Sequence, residues 1–154
     1  MDLKIGDRAP AFQLATDGEG KVSFSTLKGS PFVLYFYPKD NTPGCTKEAV
    51  EFSKLAKKFQ DLGVTVVGVS KDSTESHDRF KAKHALKLIL GSDSETKTAQ
   101  AYGVWVEKTL YGRKSMGMER ATFLVDAAGK IRGIWRKVKA EGHAEAVLAA
   151  AKTL

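Results

Sequence analysis

Two apolar runs, Phe32-Val33-Leu34-Tyr35-Phe36-Tyr37 and Val64-Thr65-Val66-Val67-Gly68-Val69-Ser70, do most to narrow what this chain can fold into. Neither alternates with polar residues, so each reads as a strand covered on both faces at the centre of a sheet. Between them Ala49, Phe52, Leu55, Ala56, Phe59 and Leu62 recur at three- and four-residue steps, and Gly63 closes the pattern. This predicts one helix running up to Gly63. Strand, helix, strand in that order implies a right-handed crossover and a parallel pair.

The helix begins at Thr42-Pro43-Gly44-Cys45, with Thr42 as N-cap and Pro43 at the first helical position, where a missing N–H costs nothing. Cys45, the only cysteine, therefore sits in the first turn, beside free backbone N–H groups and the positive end of the helix dipole. Such a place favours the reactive thiolate form. Extending the apolar stripe backwards by four residues lands on Cys45, which puts the sulfur on the core-facing side at the strand–helix junction. Glu48, Glu51, Lys54 and Lys57 fall on wetter faces, where most read as solvated charges.

Elsewhere, Ala9 to Leu14 reads as an extended entry segment, Val22 to Phe24 as a short strand, and Ser25 to Pro31 as a turn or single helical turn. Ser73 or Thr74 caps a helix to about Lys83. Leu86 to Leu90 is a short extended run, followed by a helix near Thr96 to Tyr102 and a loop from Glu107 to Met118. Arg120 to Asp126 and Lys130 to Trp135 form an antiparallel pair about Ala127-Ala128-Gly129. Ala144, Val147, Leu148 and Ala151 mark a last helix. The 154 residues form a single α/β domain, with a central mixed sheet flanked by helices.

The bulk properties exclude several classes. A single cysteine rules out an intrachain disulfide framework or a site of several thiolates. The formal charge of +7 comes from basic residues scattered among acids, without a basic tail or a zinc-finger spacing, so nucleic acid is not the expected partner. No apolar run approaches the ~20 residues needed to span a bilayer. Residues Met1 to Asp7 lack the apolar core of a secretory signal, so the cytoplasm is the expected location. His77, His84 and His143 read as surface residues. The first two, seven apart, could share a helix face but make a poor metal site, and neither metal nor cofactor is expected.

The spacing Pro38-x-x-x-Thr42-x-x-Cys45 matches the peroxiredoxin active-site pattern. The longer run Tyr35-Phe36-Tyr37-Pro38-Lys39-Asp40-Asn41-Thr42-Pro43-Gly44-Cys45-Thr46-Lys47-Glu48 resembles the peroxiredoxin Q, or bacterioferritin comigratory protein, subfamily. Gly103-Val104-Trp105 and Arg120-Ala121-Thr122-Phe123-Leu124-Val125-Asp126 extend the likeness. The resemblance implies a thioredoxin-like fold with N-terminal additions and a thiol-dependent peroxidase acting on hydrogen peroxide and organic hydroperoxides. It makes Cys45 the peroxidatic nucleophile, which becomes a sulfenic acid, and Arg120 the cation that holds the thiolate and polarises the O–O bond. Thr42 would hydrogen-bond peroxide and sulfur, and Pro38 would pack against the pocket. Backbone N–H groups of Gly44 and Cys45 would complete the anion site, with Glu48 as a possible supporting residue.

The chain departs from the subfamily where a resolving cysteine would stand. One such position is Val50 and the other falls within Arg79 to Lys83, at Lys81. An external thiol is then expected to reduce the sulfenic acid, from thioredoxin, glutaredoxin or glutathione, unless Cys45 of a second molecule does so. A monomer is expected, with a dimer as the alternative. The competing function is a thioredoxin-like redox sensor or binding module signalling through oxidised Cys45. A protein-disulfide oxidoreductase is disfavoured by the lack of Cys-x-x-Cys.

Overall fold

The computed structural model describes residues 2–154. Its main sheet has seven strands in the order β2-β1-β5-β4-β3-β8-β9. They are β1 (Gln13–Thr16), β2 (Lys21–Ser23), β3 (Phe32–Phe36), β4 (Thr65–Ser70), β5 (Ile89–Ser92), β8 (Ala121–Val125) and β9 (Ile131–Trp135). β3, β4 and β5 run parallel, while β1 pairs with β5, and β8 with β3 and β9, antiparallel. The two apolar runs of the sequence are thus the adjacent central strands β3 and β4. Their residues alternate between two cores on opposite faces. Phe32, Leu34, Phe36, Val67 and Val69 enter one, and Val33, Tyr35, Tyr37 and Val66 enter the other. Alternation buried on both sides explains why no polar residue interrupts them.

Six helices flank the sheet. They are α1 (Phe24–Leu27), α2 (Pro43–Lys54), α3 (Ala56–Asp61), α4 (Thr74–His84), α5 (Lys97–Ala101) and α6 (His143–Ala151). Phe24 of α1 and Ala99 of α5 pack into the first core. Cys45, Ala49 and Phe52 of α2, Phe59 of α3, Phe80 of α4 and Val147 of α6 pack into the second.

The expected continuous helix up to Gly63 is two helices. At Leu55 (φ −97°, ψ 4°) the N–H bonds back to Phe52, three residues away, and the helix is interrupted. Leu62, at the end of the second helix, is 39% exposed rather than core. Gly63 does end the second helix, with φ +72° and the Val64 N–H closing onto the Phe59 carbonyl. The segment 107–118, expected to be a loop, is mostly a hairpin. β6 (Trp105–Leu110) pairs with β7 (Arg113–Met118) in a separate two-stranded sheet. Tyr111 and Gly112 turn it with positive φ at both residues (54° and 75°), the conformation of a tight I′ hairpin turn.

Candidate active site

The seat of α2 is set from below by β3. Tyr35 stacks on Phe52, with ring centroids 4.6 Å apart and planes 21° apart. Gly68, opposite Tyr35 in the register, leaves the room this needs, since a Cβ there would lie 2.7 Å from the tyrosine ring. This aromatic contact ties α2 to the central strands.

At that turn Thr42 is the N-cap (φ −92°, ψ 154°) and Pro43 follows at the first helical position. The Thr42 hydroxyl does not cap the helix. It donates to the Lys39 carbonyl at 2.9 Å and braces the loop instead. The bond from Thr46 N–H to the Thr42 carbonyl, 2.8 Å, opens the helical ladder, so the N–H groups of Gly44 and Cys45 lie outside it. Cys45 is a free cysteine, 2% exposed, and faces the second core as the stripe predicts.

Arg120 reaches the thiol from the start of β8, the strand paired with β3. It stands one residue before β8, and its backbone carbonyl accepts from Val138 N–H. The neighbouring Glu119 is clamped by Arg136 through two bonds of 2.6 and 3.0 Å and by the Lys137 N–H at 3.2 Å. From this braced segment Arg120 Nη2 donates to Cys45 Sγ at 3.2 Å, and Nη1 donates to Glu48 Oε1 at 2.7 Å. A Cβ on Gly44 would sit 3.2 Å from Arg120 Nη2, so the missing side chain lets the guanidinium lie close over the helix start. A hydrogen bond from a charged donor is worth about 1.5–3 kcal/mol, against about 0.3–1 kcal/mol for a helix end. Arg120, more than the helix dipole, sets the electrostatics at the sulfur.

Glu48 is not the solvated charge expected from its place on the helix. It is fully buried, and burial pushes its carboxyl up to about 7 despite the Arg120 guanidinium beside it. Glu48 Oε2 and the Tyr35 hydroxyl are both buried without a hydrogen-bond partner among the described residues. The Arg120 charge is held raised, because Glu48 and Cys45 outweigh its own desolvation. Lys108 of β6 donates to the Met118 carbonyl, and burial together with the Arg120 charge lowers its pKa.

Other expectations need correcting. Pro38 is exposed on the loop between β3 and α2. Two of the three histidines, His77 and His143, are not surface residues. His77 is fully buried, and His143 is 6% exposed between Phe52 and Trp135, with Nε2 2.7 Å from the Thr122 hydroxyl. Burial, then the charge of Arg120, lowers the pKa of His143 to about 4. His77 and His84 do share a helix face, and it looks onto the loop that leads to Cys45. His77 Nδ1 is 2.7 Å from Asp40, and His84 Nε2 is 3.2 Å from Asn41 Oδ1. Sequence reading missed Asp40, although it lies inside the quoted motif. Val50 is half-buried on α2, and Lys81 on α4 pairs with Asp17 at 2.7 Å. Among the described residues no group of three or more histidines, cysteines or carboxylates is placed to hold a metal ion, and no helix is long and apolar enough to cross a membrane.

A buried thiol at a helix start, with a fixed cation on the sulfur and a mixed sheet of this topology behind it, defines a thioredoxin-like protein built for thiol chemistry. Comparison with known proteins sharpens this. Residues 5–134 match the model of the AhpC/TSA family. Peroxiredoxin Bcp of Bacillus subtilis (strain 168) is 44% identical over 154 residues, covering 100% of this chain and 98% of the relative. The crystal structure of a cysteine-to-serine variant of PrxQ from Xylella fastidiosa superposes with a TM-score of 0.93 at 41% identity, covering 99% of this chain and 98% of that one. The bacterioferritin comigratory protein of Xanthomonas campestris, studied for its alkyl peroxide reduction, gives a TM-score of 0.88 at 42% identity, covering 92% and 90%. The chain belongs to the AhpC/TSA family and is a peroxiredoxin, an oxidoreductase that reduces peroxide.

Proposed function

We propose that Cys45 is the peroxidatic cysteine and that an external thiol completes its cycle. The observation that carries the first part is the 3.2 Å contact from Arg120 Nη2 to Cys45 Sγ. The thiolate attacks one peroxide oxygen and the O–O bond breaks. Sulfur keeps that oxygen as Cys–S–OH, and the other leaves as an alkoxide or hydroxide that takes up a proton. Arg120 stabilises the negative charge as it passes from sulfur to the leaving oxygen. Because the Thr42 proton is committed to the Lys39 carbonyl, the hydroxyl's lone pairs are free to accept a hydrogen bond from the peroxide O–H. The free N–H groups of Gly44 and Cys45 donate to the peroxide oxygens. Glu48 tunes the site by sharing Arg120, and Pro38 stands on the exposed loop beside the approach. Alkyl peroxide reduction by the Xanthomonas campestris relative supports organic hydroperoxides beside hydrogen peroxide as substrates.

The second part rests on the cysteine count. The chain has one cysteine, with Val50 and Lys81 where a resolving thiol would stand. A reducing thiol condenses with the sulfenic acid, releasing water and forming a mixed disulfide, and a second thiol then frees Cys45. Glutathione, glutaredoxin and thioredoxin all offer that chemistry, and a cycle paid for by such thiols suits the reducing cytoplasm.

Turnover tests this. Purified protein is given hydrogen peroxide or cumene hydroperoxide with each thiol system in turn, and peroxide loss is followed. Sustained loss with at least one donor, absent in Cys45→Ser, is the expected outcome. A single stoichiometric burst with every donor would overturn regeneration by these thiols and leave Cys45 as a sensor.

A further inference from the structure

The loop that carries Asp40 into α2 is held by more groups than a connecting loop needs. Asp40 is 6% exposed, and three side chains converge on its carboxylate. They are the Tyr37 hydroxyl at 2.6 Å, the Ser76 hydroxyl at 2.8 Å and His77 Nδ1 at 2.7 Å. The far side of the His77 ring, Nε2, lies 3.0 Å from the Gly91 carbonyl in β5. A carboxylate and a carbonyl only accept, so both ring nitrogens of His77 face acceptors. The Asp40 N–H in turn donates to Asp72 Oδ2 at 2.8 Å. Next to it Asn41, at φ +62°, meets His84 of the same helix.

The helix making these bonds is braced from behind. Lys81 pairs with Asp17, the Asp78 carboxylate accepts from Gly18 N–H at 2.7 Å, and Phe80 packs against Tyr37. α4 is thus anchored to the sheet and to the N-terminal turn, and the loop is bonded to it through Ser76 and His77.

We infer that Asp40, His77 and Ser76 form a latch by which α4 holds the loop 38–42, and so the first turn of α2, in the arrangement that presents Cys45 to Arg120. Asp40 and His77 are positioning residues in this account, acting on Cys45 through the backbone between residues 40 and 45. The inference rests on Cys45 being the reacting thiol. It adds a directional consequence. With Cys45 2% exposed, a small peroxide reacts in the latched state, whereas a bulkier reagent reaches the sulfur when the loop opens.

Loosening the latch therefore moves two rates in opposite directions, which a general loss of stability does not do. The test compares Asp40→Asn, His77→Gln and the milder Ser76→Ala with the wild type. Three readouts are taken: oxidation of Cys45 by hydrogen peroxide, alkylation of Cys45 by a bulky maleimide, and amide hydrogen exchange. For Asp40→Asn the oxidation rate is expected to fall by about tenfold or more. Alkylation rises, and exchange quickens in 38–48 while β3, β4 and β8 stay protected. Ser76→Ala moves each quantity the same way by less, and it carries the test if the other two variants do not fold. Unchanged exchange in 38–48, or oxidation and alkylation slowing together, would overturn the latch. A wild-type Cys45 inert to peroxide would sink the functional reading instead, and exchange and alkylation would still decide the latch.

Discussion

Two buried carboxylates flank Cys45, and they have opposite fates. Asp40, five residues before the cysteine, is held below the usual carboxylate range: burial raises it, but bonds from His77, Tyr37 and Ser76 outweigh that. Glu48, three residues after, has one guanidinium nitrogen and an unpartnered second oxygen, and there burial prevails, at about 7. The difference lies in the number of donors, since each hydrogen bond to the charged form offsets part of its desolvation. It also separates two tasks. The satisfied pair holds the loop still, while the under-satisfied one leaves Arg120 free to spend its other nitrogen on sulfur.

The largest effect expected from breaking this contrast is at Arg120. Arg120→Ala removes the cation shared by Glu48 and Cys45, and oxidation by hydrogen peroxide is expected to slow by about a hundredfold, measured by stopped-flow fluorescence. Arg120→Lys recovers only part of this, because an ammonium cannot reach both the sulfur and Oε1 with the geometry of a planar fork. Loss of less than about threefold in the alanine variant would refute the electrostatic role assigned here.

Next in size is the cost of burying Glu48. Its carboxyl releases a proton near 4.5 when unfolded and near 7 when folded, so the folded state binds more protons between those values. Stability therefore falls as pH rises from about 4.5 to about 7, by on the order of 3 kcal/mol. Glu48→Gln, neutral throughout, is expected to remove that contribution, so its stability relative to the wild type rises as pH goes from about 4.5 to about 7 in thermal or urea melts. A melt whose pH dependence matches the wild type over this range would contradict it.

An effect of comparable size concerns His143, where the sign reverses. Its ring is neutral in the fold down to about 4 but gains a proton near 6.5 when unfolded. It costs stability as pH falls from 6.5 towards 4. His143→Gln should lose part of that acid sensitivity in melts at pH 4 and 6, and an unchanged difference between them would count against this origin.

How much of this the sequence discloses follows from the range of each interaction. The central strands, the junction at Cys45 and the end at Gly63 are set by neighbours in the chain, and the apolar runs, Thr42-Pro43 and the glycine make them legible. The hairpin 105–118 is not, because its residues are largely exposed and its Tyr111-Gly112 turn lacks the usual asparagine or aspartate signal. Glu48 looks solvated by helix periodicity, and only Arg120, 72 residues on, makes its burial tolerable. His77 looks like a surface histidine for the same reason, since its partners are Asp40, 37 residues earlier, and the Gly91 carbonyl, 14 later. The break at Leu55 went unread because no glycine or proline marks it.

The most direct test of the account is the mass of the intact protein through one turn of chemistry. With one equivalent of hydrogen peroxide and no thiol, Cys45 is expected to gain one oxygen atom. Adding glutathione should convert that species to a mixed disulfide on Cys45, and further thiol should return the starting mass. If no oxygen is found on Cys45, or if the reduced protein reappears without any added thiol, the account is wrong.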